Sequence, residues 1–212
     1  MKKTPQKSGS LNLNTSLTPV YFRDSQSPRA QSNDDSNLAV CRTRLETLVK
    51  NLQDNYAKWQ LAQQRGSTLC YAIEAKKTRC LEATASDTSS YPDELKMPCD
   101  KLAVIASIFV DIANNTRETL RQLRALQKLP GTSAEVIFYR SWRLRQFVAF
   151  AQELLQRYDL ETAVKQQVME NIPHCTQRSE LIAFTTAWEF PEHVNDYVKL
   201  GFLLLAEEVK TK

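Results

Sequence analysis

Between Pro28 and Pro92 the sequence contains no proline, and its apolar residues recur there in alternating steps of four and three. This spacing predicts one long α-helix with a heptad seam, beginning where Asp34, Asp35 or Ser36 can cap it. A helix of more than about 50 Å either packs inside its own bundle or pairs with another protein, and periodicity leaves both alternatives open. The seam consists of Leu45, Val49, Leu52, Tyr56, Trp59, Gln63, Gly66, Cys70, Ile73, Lys77 and Cys80.

A polar connector with two prolines, residues 83–98, precedes a second seam. The second helix ends at Pro130 and Gly131, a strong termination signal. Because the connector allows the two helices to lie antiparallel, we expect residues 36–129 to form a long, coiled-coil-like hairpin. The second seam consists of Leu102, Ile105, Phe109, Ile112, Thr116, Thr119, Leu123 and Leu126.

Residues 133–212 predict three shorter helices in a compact C-terminal portion of the bundle. Pro173 ends the first, the second runs from a cap at Thr176 to Pro191, and Asn195 caps the third. The apolar face of the first contains Phe147, Ala151, Leu154, Tyr158, Ala163 or Val164, and Val168. That of the last contains Val198, Gly201, Leu204, Leu205 and Val209.

Glycine is scarce: the chain has 4, against roughly 15 at an average usage of about 7%. So few glycines argue against Gly-rich phosphate loops and many-stranded sheets. No apolar run reaches the roughly 18 residues that a membrane span requires, and no signal-like run opens the chain, so neither a membrane protein nor a secreted one is expected. The sequence therefore predicts an all-α, elongated helical bundle.

Residues 1–35 are rich in Ser, Asn and Gln and predict a disordered N-terminal tail. Thr4 begins a Thr-Pro-Gln-Lys motif of the kind favoured by cyclin-dependent kinases, and Ser27 precedes a proline. Ser25 precedes a glutamine, the minimal dipeptide that checkpoint kinases read. Thr4, Ser25 and Ser27 are therefore candidate phosphoacceptors, although tails of this composition contain such dipeptides by chance.

Groups suited to catalysis are few. The chain contains two histidines and five cysteines without a CxxC pair, which predicts reduced thiols in the nucleus or cytoplasm. No zinc-ligand spacing and no catalytic motif occurs, so we expect no metal, no cofactor and no enzymatic activity. The enzymatic alternative is a nucleophilic centre formed by Cys175 and His193.

Residues 138–147 interleave three arginines with aromatic residues. Arg140, Arg143 and Arg145 in this arrangement are typical of sites that contact phosphates and stack bases, so a nucleic-acid-binding module is the alternative function. In the second interpretation Trp142 and Phe147 anchor a helix in the core while the arginines extend to water. The modest net charge of +4 favours that second interpretation and makes nucleic acid an unlikely partner.

The first helix has a longer seam than the second helix alone covers, so we expect it to bind another helical protein. Tyr56 and Trp59, large aromatic residues at consecutive seam positions, are the candidate anchors. Loss of the fold on replacing Trp59 by alanine would instead assign that residue to the internal core.

Three stretches, NYAKWQLAQQRGSTLCYAIEAKK, IFYRSWRLRQFVAFAQELLQRY and LIAFTTAWEFPEHVNDYVKLGFLLLAEE, resemble the cyclin-dependent kinase 2-interacting protein family in order and spacing. The resemblance covers residues 36–210, and the connector and most of the tail do not match. It implies a non-catalytic helical adaptor in DNA replication and the cell cycle, located in the nucleus and also in the cytoplasm. The implied partners are cyclin-dependent and replication kinases, a checkpoint kinase complex, or subunits of an AAA-type ATPase assembly linked to replisome turnover and ribosome maturation. The shared positions are Lys58, Trp59, Trp142, Leu154, Leu155, Tyr158, Trp188 and Pro191.

Overall fold

The computed structural model describes residues 28–83, 93–129 and 135–210 and confirms the predicted all-α helical bundle. In these ranges no β-strand occurs, apart from an isolated bridge between Ile137 and Arg143. Short 3₁₀ turns precede α2 and follow α3. The helices are α1 (Pro28–Ala83), α2 (Lys96–Leu126), α3 (Leu144–Asn171), α4 (Arg178–Glu189) and α5 (Asp196–Val209).

Helix α1 begins at Pro28, earlier than the start near Ser36 that the sequence predicts. Proline is favoured in the first turn of a helix because its missing N–H has no partner there in any case. Residues 28–35 of the predicted tail are therefore helical. The remainder of that tail, with Thr4, Ser25 and Ser27, lies outside the described residues, so its predicted disorder and its phosphorylation stay predictions.

Contacts along the helices define the sides of the bundle. Helix α1 runs antiparallel to α2, since Lys76 pairs with Glu94 near one end and Trp59 contacts Phe109 further along. Helix α3 runs antiparallel to α2. Helices α4 and α5 follow one another along α1 and α3, and they make up the fourth side together. The predicted hairpin is thus present within the chain.

Both predicted seams face a single core. At its centre each side of the bundle contributes one aromatic residue. Trp59 stacks on Tyr158 with ring centroids 4.5 Å apart, and the edges of Trp59 and Trp188 meet Phe109 at 4.5 and 5.7 Å. Offset and edge-to-face contacts of this kind stabilise a core beyond the area that they bury. The two predicted portions of the chain therefore share one core.

Candidate protein-binding surface

Helix α5 starts where the sequence predicts. Pro191 follows the end of α4, and the Oδ1 atom of Asn195 accepts a hydrogen bond from the backbone N–H of Tyr197 (3.1 Å). This cap satisfies one of the free donors in the first turn. The inner face of α5 then packs Val198, Phe202 and Leu205 into the core.

The outer face of α5 is also apolar. Tyr197, Leu200, Leu203 and Leu204 are each more than half exposed, at 53–57%. The sequence predicts that Leu204 lies on the inner face of α5, and this is wrong. Phe202 packs into the core instead, and Leu204 faces outward. Apolar residues surround almost the whole helix, so periodicity alone does not tell which side meets the core.

A cavity of about 160 Å³ lies between α3 and α5, beside this outer face. Gly201 leaves space for the ring of Phe150, because a Cβ atom at position 201 would stand 2.8 Å from the Cε2 atom of that ring. Arg157 lies over the ring of Tyr197 at 4.4 Å and pairs with Glu153 at 3.1 Å. The apolar lining comes from Trp142, Phe150, Leu154, Val198, Leu200, Gly201 and Leu204. We call this cavity and the exposed residues Tyr197, Leu200, Leu203 and Leu204 the α5 surface.

The wall of the cavity at Trp142 is held by a buried carboxylate. Oε1 of Glu208 accepts hydrogen bonds from the backbone N–H groups of Arg140, Ser141 and Trp142 at 2.7–2.8 Å, and its Oε2 accepts one from the Ser141 hydroxyl. Burial alone would raise the pKa of Glu208, but these hydrogen bonds outweigh burial and lower it. The ring of Trp142 meets Phe147 edge-on, with centroids 5.0 Å apart.

The arginine and aromatic residues of 138–147 therefore do not converge on one exposed site. Trp142 packs inward, as the second interpretation predicts, and Arg143 pairs with Glu135 at 2.8 Å. Arg140 and Arg145 remain exposed. The three N–H groups that would suit a phosphate are occupied by Glu208.

A buried ion pair, which the apolar pattern of α3 missed, fixes the connection between α4 and α5. Lys165 and Glu161 are fully buried and 3.0 Å apart. The Nζ atom of Lys165 donates to the carbonyl oxygen of Trp188 (2.7 Å), and Oε2 of Glu161 accepts from the N–H of His193 (2.9 Å). Burial lowers the pKa of Lys165, and Glu161 opposes this effect. Their spacing of four on a buried stripe is the signal that could have identified them.

The proposed nucleophilic pair is not assembled. Cys175 precedes α4 and His193 follows it, so the 12 residues of that helix, about 18 Å, lie between them. Burial raises the pKa of Cys175, which opposes formation of a thiolate. The hypothesis of a Cys175–His193 centre is therefore wrong.

The described part of the chain has no group of three His, Cys, Asp or Glu residues placed to hold a metal ion. None of its helices is both long and apolar enough to cross a membrane.

Trp59 is 2% exposed and lies at the centre of the core, so its prediction as an exposed partner anchor is wrong. Tyr56 is partly buried and stacks on Phe202 of α5, with centroids 4.1 Å apart. Tyr56 thus packs against the inner face of α5, and Trp59 lies in the core between α1, α2 and α3. An amphipathic pattern shows that a residue belongs to a seam, but not which helix covers it.

The chain matches no known protein-family model, and no curated protein is significantly similar to it.

Proposed function

We propose that this protein is a non-catalytic helical adaptor whose α5 surface binds an amphipathic helix of a partner protein. The observation that supports this is the apolar outer face of α5, where Leu200, Leu203 and Leu204 lie side by side and exposed. A helix with apolar residues around almost its whole circumference is normally covered by protein. Clusters of exposed apolar side chains of this kind mark interaction sites.

The cavity supports a helix as the ligand. Dry apolar cavities of about 150 Å³ accommodate benzene, so the 160 Å³ cavity fits one phenyl ring or branched aliphatic side chain. Partner helices commonly bind in this way, with one large side chain in a pocket and its neighbours three and four positions away on the surrounding surface. Leu200 and Leu204 line the cavity and also belong to the exposed face, so both parts of the site meet at these residues.

The resemblance to the cyclin-dependent kinase 2-interacting protein family suggests the partners. We propose a nuclear role in DNA replication and the cell cycle, with binding to cyclin-dependent or replication kinases, a checkpoint kinase complex, or AAA-type ATPase subunits. Two of the positions on which the resemblance rests, Trp142 and Leu154, line the cavity. The others include Trp59, Tyr158 and Trp188 of the core.

Affinity purification from proliferating cells, with the stoichiometry of the recovered proteins, tests this proposal. The full-length chain should recover a hexameric ATPase or a replication kinase in a fixed ratio, and Leu200→Glu with Leu204→Glu should abolish that recovery. Leu160→Glu with Ile182→Glu is the matched control, because both residues are exposed leucine or isoleucine outside the α5 surface. Equal recovery with both double variants would overturn the proposal.

A further inference from the structure

Helix α5 is held to the bundle differently from the other four helices. Each of those lies backbone to backbone against a neighbour over several residues, whereas α5 does so with none. Its inner face reaches the core through long side chains: the ring of Phe202 stacks on Tyr56 with centroids 4.1 Å apart and meets Phe150 edge-on at 5.3 Å. Sparse backbone contact of this kind is typical of segments that open before the rest of a fold.

The segment that leads into α5 is fixed to α3. The backbone N–H of His193 donates to Oε2 of Glu161 (2.9 Å), and the carbonyl oxygen of His193 accepts from Nη1 of Arg157 (3.1 Å). Glu161 is itself buried in its pair with Lys165. These hydrogen bonds hold the backbone two residues before the cap at Asn195, so the start of α5 has a fixed position.

At the opposite end of α5 the polar contacts with the rest of the bundle come from Glu208. This side chain lies in the last turn of the helix, is 5% exposed and accepts four hydrogen bonds from residues 140–142. The adjacent Glu207 is exposed and pairs with Lys210 instead. Glu208 can satisfy the N–H groups of residues 140–142 only while α5 is docked, so it ties the end of the helix to that segment.

We propose that α5 undocks from the bundle as a unit, turning about Val194 and Asn195, and that Glu208 is the latch that keeps its far end in place. The latch lies about 20 Å from this pivot, since α5 has 14 residues. An isolated helix of that length is marginal in water, so the released α5 also loses its helical hydrogen bonds. Undocking therefore exposes its backbone amides to solvent while α1–α4 stay packed.

The motion also affects the α5 surface. The cavity has walls on both sides of the gap: Trp142 and Leu154 come from α3 and the segment before it, and Leu200 and Leu204 come from α5. Undocking separates these walls, so only the docked helix offers the complete site. The apparent affinity for a partner then falls with the docked fraction. This consequence rests on the proposed function, whereas the undocking itself does not.

Native-state hydrogen exchange of the full-length protein, measured by mass spectrometry, compares peptides from α5 with peptides from α3. In the wild type the α5 amides should exchange faster, because α5 opens without the rest of the bundle. Ile112→Val, in the core on α2, should speed α3 exchange by roughly two- to tenfold and leave α5 exchange unchanged, because the packing of Ile112 survives undocking. Glu208→Ala should speed α5 exchange about tenfold, because undocking then breaks four fewer hydrogen bonds.

Glu207→Ala is the matched control for the latch, because it removes the adjacent exposed carboxylate and should leave α5 exchange unchanged. Glu208→Gln keeps an acceptor, so it should speed α5 exchange less than Glu208→Ala, and it replaces that variant if the alanine protein does not fold. An equal response of α3 and α5 to Ile112→Val would overturn the proposal, because α5 would then open only with the whole fold.

An α5 exchange rate that neither Glu208 variant raises, or that Glu207→Ala raises as much, would overturn the role of Glu208 as the latch. Exchange that slows steadily from the end of α5 inward, with amides near Phe202 as slow as those of α3, would show fraying instead of undocking. The measurement needs no partner protein, so its outcome is independent of the affinity purification that tests the proposed function.

Discussion

Gly66 of α1 lies against Trp188 of α4 so closely that a Cβ atom at position 66 would stand 2.0 Å from Cζ2 of the indole. One turn earlier, the carbonyl oxygen of Gln63 accepts a hydrogen bond from the indole Nε1 of Trp188 (3.2 Å). The side-chain amide of Gln63 donates to the carbonyl oxygen of Trp188 in return. Helix α4 is thus positioned by a glycine and a glutamine on α1.

Gly66→Ala should therefore destabilise the protein, although alanine favours a helix by about 0.5–1 kcal/mol over glycine. The added methyl group would overlap the indole ring of Trp188, which its hydrogen bonds to Gln63 hold in place. Overpacking of this kind costs about 1–3 kcal/mol or more. Urea denaturation measures the change. Gln64→Ala, at an exposed position of the same turn, should leave stability almost unchanged. A Gly66→Ala protein as stable as the wild type would show that Trp188 is free to move.

The buried pair Glu161 and Lys165 should be costly to break and less costly to replace as a unit. Lys165→Met leaves the carboxylate of Glu161 buried without its cation and should destabilise the fold by about 3–5 kcal/mol. Adding Glu161→Gln removes that charge and keeps an acceptor for the N–H of His193. The double variant should consequently be more stable than Lys165→Met alone in denaturant titrations. The reverse order would contradict the role of the pair.

The stability of the fold should depend on pH through Glu208. Its pKa is lowered in the fold, so its contribution is complete above the ordinary glutamate pKa of about 4.3 and is lost as pH falls through the lower folded value. Glu208→Gln replaces an acceptor of four hydrogen bonds and should destabilise the protein at pH 7 by about 1–3 kcal/mol. The difference between wild type and variant should shrink below about pH 4. A difference independent of pH would contradict this assignment.

The five cysteines, none of which forms a disulfide in the described structure, should differ in reactivity. Burial raises the pKa of the Cys70 thiol to about 12, and it raises that of Cys175 as well. A mild thiol reagent applied to the native protein should therefore modify the partly exposed Cys80 before Cys70 or Cys175. Peptide mapping by mass spectrometry measures the order. Modification of Cys175 as rapid as that of Cys80 would contradict the burial that raises its pKa.

Much of the fold could be predicted because repeated apolar spacing identifies a helix and its buried stripe without knowledge of the partner. Every seam position of α1 and α2 is buried or partly buried. Asn195 could be predicted as the cap of α5 because it is a short polar residue at the start of an apolar run, and its side chain does accept a hydrogen bond from the backbone N–H of Tyr197.

The candidate site was harder to predict, because it depends on which of several apolar faces remains uncovered. Helix α5 offers two such faces, and only the packing of Phe202 against Tyr56 and Phe150 selects the inner one. Trp59 shows the opposite case, a predicted interface residue that lies in the core. Its position in the helix pattern is equally compatible with a core and with an interface.

Site-specific photo-crosslinking tests the central claim, that a partner protein covers the α5 surface, most directly. A photoreactive phenylalanine analogue is placed in cells at Leu203, on the outer face of α5, and separately at Leu160, which is similarly exposed on α3. We predict one dominant crosslinked product with another protein from position 203 and no such product from position 160. The same products from both positions, or a product that contains only copies of this chain, would contradict the account.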